Sequence, residues 1–218
     1  MSERNELNCI PIRCVCLIIG LVIMAFGVAF SIKAALGTSP ISSVPYVTSC
    51  ISGLSVGTTT IIMNGIFIVI QIIILRKQYE WFQLLQIPAF IVFGVMIDVG
   101  TSVIQRITYD SYIQQWFLCV LGMILVALGV SIEVMANLVT TAGEGVVLAV
   151  CKVWPVKFGN MKVVFDITLV SISIITGLVC FGHLEGVREG TIAAAVCVGL
   201  VTKLFKKPVG KFEEKFLK

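Results

Sequence analysis

Five apolar stretches that are almost free of charge dominate this sequence. They are Val15–Ile32, Ile41–Met63, Phe90–Ile97, Phe117–Ile132 and Val163–Val179. With its flanks, each stretch approaches the roughly 20 residues that a helix needs to cross a bilayer. In hydrocarbon the backbone must satisfy its own hydrogen bonds, so only helices or a closed barrel can span, and these stretches lack the alternation of barrel strands. The sequence predicts an all-α polytopic membrane protein with six to eight transmembrane helices.

The composition agrees with a single membrane domain over residues 1–218. Hydrophobic residues make up 58% of the chain and charged residues 13%, whereas a soluble domain has about 25% charged residues. The first apolar stretch is too long for a secretory signal and lacks a small-residue cleavage site, so we expect an uncleaved anchor. The eight cysteines show no C-x-x-C spacing, and we expect neither a metal nor a cofactor.

Lysine and arginine near the helix ends predict the orientation in the membrane. Residues 205–218 form a basic tail, and Arg4 and Arg13 lie near the other terminus. We therefore expect both termini in the cytoplasm and an even number of spans. Phe212, Phe216 and Leu217 among the tail lysines are typical of an amphipathic segment on the anionic inner leaflet, although a solvated end explains them equally well.

The chain resembles itself when it is shifted by 102 residues. "AFGVAFSIKAALGTS" then lies over "ALGVSIEVMANLVTT", and glycines and polar interruptions coincide, as in Gly27/Gly129 and Thr38/Thr140. We interpret this match as two homologous repeats of four helical segments, at about 11–104 and 112–204. The predicted helices are Pro11–Ile32, Pro40–Ile51, Thr59–Leu75, Trp81–Ile104, Tyr112–Val134, Ala142–Val153, Met161–Val179 and Gly190–Leu204.

The second helix of each repeat leaves the topology open. At 1.5 Å per residue it covers about 20 Å, less than the hydrocarbon core. If it spans, there are eight spans and parallel repeats; if it is re-entrant, there are six spans and inverted repeats, a common transporter plan. The distribution of lysine and arginine is compatible with both.

Polar breaks precede both short helices, and they are the first candidate site. Short or interrupted hydrophobic segments at matching positions of two repeats indicate a transporter binding site. The residues are Thr38, Ser39 and Ser42 in the first break, and Glu133, Asn137, Thr140, Thr141 and Glu144 in the second. The alternative is close helix packing by small residues at the membrane edge, which explains the serines and threonines but not carboxylates at membrane depth.

The third helices carry further polar residues. Asn64 and Gln71 lie two turns apart and align with Asp166 and Ser173, and Asp98 lies near the end of the fourth helix. We predict that Asn64, Gln71, Asp98 and Asp166 also contribute to a substrate site. The alternative for Asp166 is a structural ion pair with Lys162, one helical turn earlier.

Four segments carry a likeness to a known family: "ALGTSPISSVPY", "VFGVMIDVG", "GVSIEVMANL" and "GVREGTIAAAVCVGLVTKLF". Through them the chain resembles the YczE/YyaS/YitT family of bacterial integral membrane proteins over nearly its whole length. The resemblance implies a small multi-pass protein of the bacterial cytoplasmic membrane. Relatives tend to have Asp where Glu144 stands here. The resemblance implies no substrate.

Two classes of function fit these features. The only histidine, His183, is predicted in a loop, and no H-E-x-x-H, G-x-S-x-G or Walker motif occurs, so we expect no enzyme. A secondary transporter or permease for a small solute explains the repeats, breaks and buried acids, with Glu144 exchanging a proton or binding a cationic solute. A membrane scaffold or accessory factor for another membrane complex explains the small size and basic tail. Besides solute and bilayer, a second copy of the chain is a candidate partner, and nucleic acid is not.

Overall fold

The computed structural model describes residues 10–216, without the side chains of Lys203 and 206–216. Within this part of the chain the fold is all-α, as predicted, with eight α-helices and no strand. The helices are α1 (Ile10–Ala34), α2 (Pro40–Ser52), α3 (Val56–Leu75), α4 (Gln86–Ile104), α5 (Tyr112–Ala136), α6 (Ala142–Val153), α7 (Phe158–Phe181) and α8 (Glu189–Phe216).

Five segments are long and apolar enough to cross a membrane. They are Ile10–Ala34, Val56–Gln78, Trp81–Ile104, Tyr112–Ala136 and Phe158–Phe181, whereas the apolar part of α8 is the shorter Glu189–Thr202. Large apolar side chains cover the outer surface; Ile73, Phe117 and Ile167, for example, are 64%, 70% and 60% exposed. A surface of this kind requires a hydrocarbon environment, so the chain is a polytopic membrane protein.

Local sequence explains where the helices begin. Ser39 precedes Pro40, which occupies the first helical position of α2, where a missing N–H costs nothing. Ser111 accepts a hydrogen bond from the amide of Gln114, and the Gln114 side chain accepts one in return, which forms a capping box at the start of α5. The two polar breaks each end one helix and precede another, as predicted: the first lies between Ala34 and Pro40, and the second between Ala136 and Ala142.

Two predicted boundaries differ from the structure by five residues or more. The fourth helix was predicted from Trp81, but Trp81–Leu85 is a 3₁₀ segment and the α-helix begins at Gln86, because Pro88 is tolerated only in a first turn. The last helix continues to Phe216 rather than ending near Leu204. The predicted amphipathic character of the tail depends mainly on side chains that lie outside the described residues. Arg4 also lies outside the described residues.

Helices α1 and α5 cross with their backbones in close contact. A methyl group on Gly20 would lie 3.0 Å from the carbonyl oxygen of Gly129, and one on Gly27 would lie 2.8 Å from that of Gly122. As the residue number rises along α1, it falls along α5, so the two helices are antiparallel. Glycine at these positions allows the close approach that small residues give membrane helices.

The other long helices have defined directions relative to this pair. Gly100 of α4 faces Phe26 and Ala29 of α1, and Lys33 donates a hydrogen bond from Nζ to the carbonyl of Gln105. Helix α4 therefore runs parallel to α1. Gly57 at the start of α3 packs against Gly94 of α4, and Gln71 near the end of α3 contacts Gln86 at the start of α4. Helix α3 therefore runs antiparallel to α4.

The short helices pack on the opposite half of the chain. Helix α2 packs against α7, and α6 packs against α3. Gln71 of α3 contacts Ala142 and Gly145 at the start of α6, while Leu75 and Ala149 share an apolar cluster one to two turns later. Helix α6 therefore runs parallel to α3, and the two halves of the chain interlock.

Candidate functional site

A cavity of about 680 Å³ lies among the helices of the bundle and is lined by residues from all eight of them. It opens to the outside past exposed members of its wall, such as Val134 and Ala195. Its volume falls within the range of small-molecule sites. The first turns of α2 and α6 meet at the cavity, where a methyl group on Gly143 would come within 2.3 Å of Ile41 Cδ1. Gly143 of α6 thus lies against Ile41 of α2, and two helix N-terminal ends approach each other beside the cavity.

Eight of the twelve predicted site residues lie on the cavity wall. They are Ser39, Ser42, Asn64, Glu133, Thr140, Thr141, Glu144 and Asp166. Ser39 and Ser42 share a hydrogen bond of 3.0 Å between their hydroxyl oxygens, and Asn64 donates from Nδ2 to the carbonyl of Thr60. Both polar breaks therefore contribute to one internal surface, although the binding of a solute there remains a prediction.

Two predicted residues of the breaks do not line this cavity. The backbone amide of Thr38 donates to the carbonyl of Gly186 over 3.0 Å, so Thr38 fixes the break to the segment before α8. Asn137 ends α5 with φ of +46°, a left-handed conformation that Asn adopts more readily than most residues. These residues shape the breaks rather than contact the cavity.

Two predicted residues of the long helices also hold the fold together. Gln71 is 1% exposed and donates from Nε2 to the carbonyl of Ala142 over 2.9 Å, which ties α3 to α6. The Asp98 carboxylate accepts hydrogen bonds from the hydroxyl of Ser55 at 2.6 Å and the amide of Gly57 at 2.7 Å. Asp98 therefore satisfies the start of α3 and lies away from the cavity.

Lys162 is a cavity residue that the predicted site did not include. Its Nζ lies 2.5 Å from Asp166 Oδ1, and the two side chains are 30% and 23% exposed. The i,i+4 spacing was the sequence signal for this ion pair. Because both residues also line the cavity, the pair is part of the site as well as of helix α7.

Glu133 and Glu144 are the two carboxylates of the cavity outside that pair. Glu133, in the last turn of α5, is 5% exposed; it lies close to the backbone amide of Thr141 and is repelled by Glu144. Glu144 lies in the first turn of α6, where the helix dipole favours a negative charge. Lys162 attracts the Glu144 carboxylate and Asp166 repels it, so the four ionisable groups form one electrostatic unit.

Most of the cavity wall is apolar. The sequence analysis did not predict these apolar wall residues. The aromatic members are Phe67, Phe90 and Phe93. In the sequence they stand among residues of the same kind that face outward, such as Ile66 and Ile91, at 49% and 43% exposed. The cavity thus combines a few charged groups with a large apolar surface, which is typical of small-molecule sites.

A second space of about 370 Å³ lies between the first break, α2 and the segment before α8. Glu185 accepts a hydrogen bond from the hydroxyl of Tyr46 at 3.3 Å, and its other oxygen lies 3.3 Å from His183 Nε2. The His183 side chain is 66% exposed. This space shares no lining residue with the larger cavity, so it is a separate feature beside the first break.

Comparison with known proteins identifies the family. Residues 11–207 match the model described as "Family of unknown function (DUF6198)". The chain belongs to this family. It is 25% identical over 188 residues to "Uncharacterized protein YyaS" of Bacillus subtilis (strain 168), a match that covers 86% of this chain and 89% of that protein. The resemblance to YyaS-like proteins is thereby confirmed, and no solved structure matches significantly.

Proposed function

We propose that this protein is a secondary transporter or permease for a small solute, with its binding site in the internal cavity. The observation that carries the proposal is a space of about 680 Å³, lined by Glu133, Glu144, Lys162 and Asp166, inside a bundle of membrane helices. Ionisable side chains inside a membrane protein are costly and usually mark a substrate or ion pathway. The space also joins both polar breaks, where transporters commonly bind their substrates.

The crossing of α1 and α5 supports inverted repeats. The shift of 102 residues relates Gly20 to Gly122 and Gly27 to Gly129, and the observed contacts are Gly20 with Gly129 and Gly27 with Gly122. A two-fold axis through the crossing would exchange these contacts. Since the helices are antiparallel, such an axis would lie across them, which is the arrangement of inverted repeats.

The packing of the short helices follows the same relation. The shift relates α2 to α6 and α3 to α7, so the contact of α2 with α7 corresponds to that of α6 with α3. In the same way, the contact of α1 with α4 corresponds to that of α5 with α8. The backbone repeats as well, because Ala35 and Asn137 have φ of +54° and +46° at equivalent positions. We infer repeats at about 11–104 and 112–204 within one membrane domain.

The direction of α6, and through the repeat that of α2, supports six spans with both short helices re-entrant. Helix α6 runs parallel to α3, α3 antiparallel to α4 and α1, and α1 antiparallel to α5. Helix α6 therefore continues in the direction of α5, so it cannot return across the membrane after α5 as the eight-span arrangement requires. The five long segments and α8 then provide the six spans.

The two halves of the chain enclose a cavity rather than a dry interface. This arrangement favours a transporter over a membrane scaffold. The test is flux through purified protein in proteoliposomes, with solid-supported membrane electrodes recording currents on a panel of cationic, anionic and neutral solutes under an imposed pH gradient. We expect solute-dependent currents that empty liposomes lack. Absence of such currents over the whole panel, with correctly inserted protein, would favour the scaffold.

Both termini are proposed to be cytoplasmic, since six spans return the chain to its starting side. Arg13, whose guanidinium donates to the carbonyl of Ala136, and the basic tail supply the positive charge on that side. Alkaline phosphatase and green fluorescent protein fusions at the C-terminus, and at Asp110 in the loop between the repeats, measure the orientation. We expect fluorescence at the C-terminus and phosphatase activity at Asp110; the opposite pattern would reverse the topology.

A further inference from the structure

We propose that the cavity binds a monovalent organic cation with an apolar body. This inference rests on the proposed function, because it names the class of solute for the same site. It depends on the balance of charge in the cavity, on one buried carboxylate without a side-chain partner, and on the aromatic wall.

The charge in the cavity is negative when its groups are ionised. Among the described lining residues, only Glu133, Glu144, Lys162 and Asp166 carry charge. The ion pair of Lys162 with Asp166 is internally balanced, which leaves two carboxylates. The N-terminal ends of α2 and α6 each contribute about half a positive charge, so the cavity lacks about one positive charge.

Glu133 is the independent indication of a missing ligand. Its side chain is 5% exposed and lines the cavity. Among the described residues no side chain forms a hydrogen bond or ion pair with it, and its polar neighbour is the backbone amide of Thr141. A buried ionised carboxylate normally has a charged partner as well as a hydrogen bond, and a cation in the cavity would provide that charge.

The remaining wall determines the body of the ligand. Phe67, Phe90 and Phe93 present aromatic rings, and aromatic faces attract cations as well as apolar groups. A small hydrated metal ion would leave this surface in contact with water. An anion would add negative charge beside two carboxylates that already repel each other, and a neutral solute would leave the charge of Glu133 without a counterion.

A matched pair of probes tests this inference. Tetraphenylphosphonium and tetraphenylborate have the same shape and opposite charge, and isothermal titration calorimetry measures their binding to the purified full-length protein. We expect saturable 1:1 binding of tetraphenylphosphonium and none of tetraphenylborate. The double variant Glu133→Gln with Glu144→Gln should bind the cation about 30-fold more weakly or worse.

The control variant is Glu80→Gln, which removes a carboxylate that is 70% exposed and pairs with Lys152 outside the cavity. It should bind the cation as the wild type does. Gel filtration and thermal stability establish that each variant is folded; if the double variant is not, Glu144→Gln alone and the charge-preserving Glu133→Asp replace it, with weaker binding expected only in the former.

Equal affinity of the wild type and the cavity variants, preference for tetraphenylborate, or binding of neither probe would overturn the inference. The same measurements separate it from the proposed function. Cation binding without flux of any solute would retain the cation site and reject transport. Flux of neutral or anionic solutes without cation binding would retain transport and reject the cation site.

Discussion

Replacement of Glu144 by Gln is expected to abolish solute flux while the protein remains folded in the membrane. Glu144 lines the cavity beside Lys162, in the first turn of the short helix α6. Glutamine keeps the size of the side chain but removes the charge that would bind a cationic solute or a proton. We expect the transport rate to fall by about 30-fold or more, measured as solute-dependent current in proteoliposomes.

Asp166→Asn is the contrasting variant. It leaves Lys162 without its carboxylate partner, so it should mainly lower thermal stability. The loss should be smaller than the about 3–5 kcal/mol of a fully buried pair, because the two side chains are 30% and 23% exposed. A second change, Lys162→Met, should restore part of that stability. If the Glu144→Gln variant has the same flux as the wild type, Glu144 does not belong to the transport site.

Replacement of Gly27 by Ala is expected to destabilise the protein strongly. The added methyl group would lie 2.7 Å from the backbone nitrogen of Val126 and 2.8 Å from the carbonyl oxygen of Gly122. Neither backbone atom can move away without separation of α1 from α5. Overpacking of this kind costs about 1–3 kcal/mol, which thermal unfolding in detergent would reveal as a lower melting temperature.

Gly65→Ala provides the matched control. Gly65 lies within helix α3 and a methyl group there would meet no atom within 4 Å, so the better helix propensity of alanine should leave stability unchanged or raised. Gly129→Ala should destabilise the protein as Gly27→Ala does, because a methyl group on Gly129 would lie against the backbone of α1 at Met24. Equal stability of Gly27→Ala and Gly65→Ala would contradict the close crossing of α1 and α5.

The sequence predicted the helices well because strong local signals determine their ends. Ala142–Val153 has the predicted bounds, since a polar break precedes it and Pro155 follows shortly. The fourth helix was placed too early because a 3₁₀ segment and an α-helix have similar hydrophobic patterns over five residues. The direction of α1 relative to α5 required contacts between distant residues, and charge alone could not supply it.

The candidate site was predicted less completely because a polar stripe on a helix extends beyond the cavity it faces. Asn64 and Gln71 lie on one side of α3, yet Asn64 lines the cavity and Gln71 binds a backbone carbonyl of α6. Asp98 was included because a membrane carboxylate suggests function, but the start of α3 needs it as a hydrogen-bond acceptor. The aromatic wall was missed because its residues resemble those that face lipid.

Transport through the cavity requires that a solute can reach it from both sides of the membrane, and cysteine labelling measures this access. The eight native cysteines are removed, and single cysteines are placed at Ser42 and Thr140, one in each half of the cavity wall. Two controls accompany them: Leu169, which is 3% exposed and outside the cavity, and Asp110 in an exposed loop. A membrane-impermeant maleimide is applied to oriented proteoliposomes from either side.

A transporter that alternates between two openings predicts labelling of Ser42→Cys and of Thr140→Cys from both sides. Leu169→Cys should be labelled from neither side and Asp110→Cys from one side only. Labelling of the two cavity positions from a single side, or from neither, would contradict transport through this cavity.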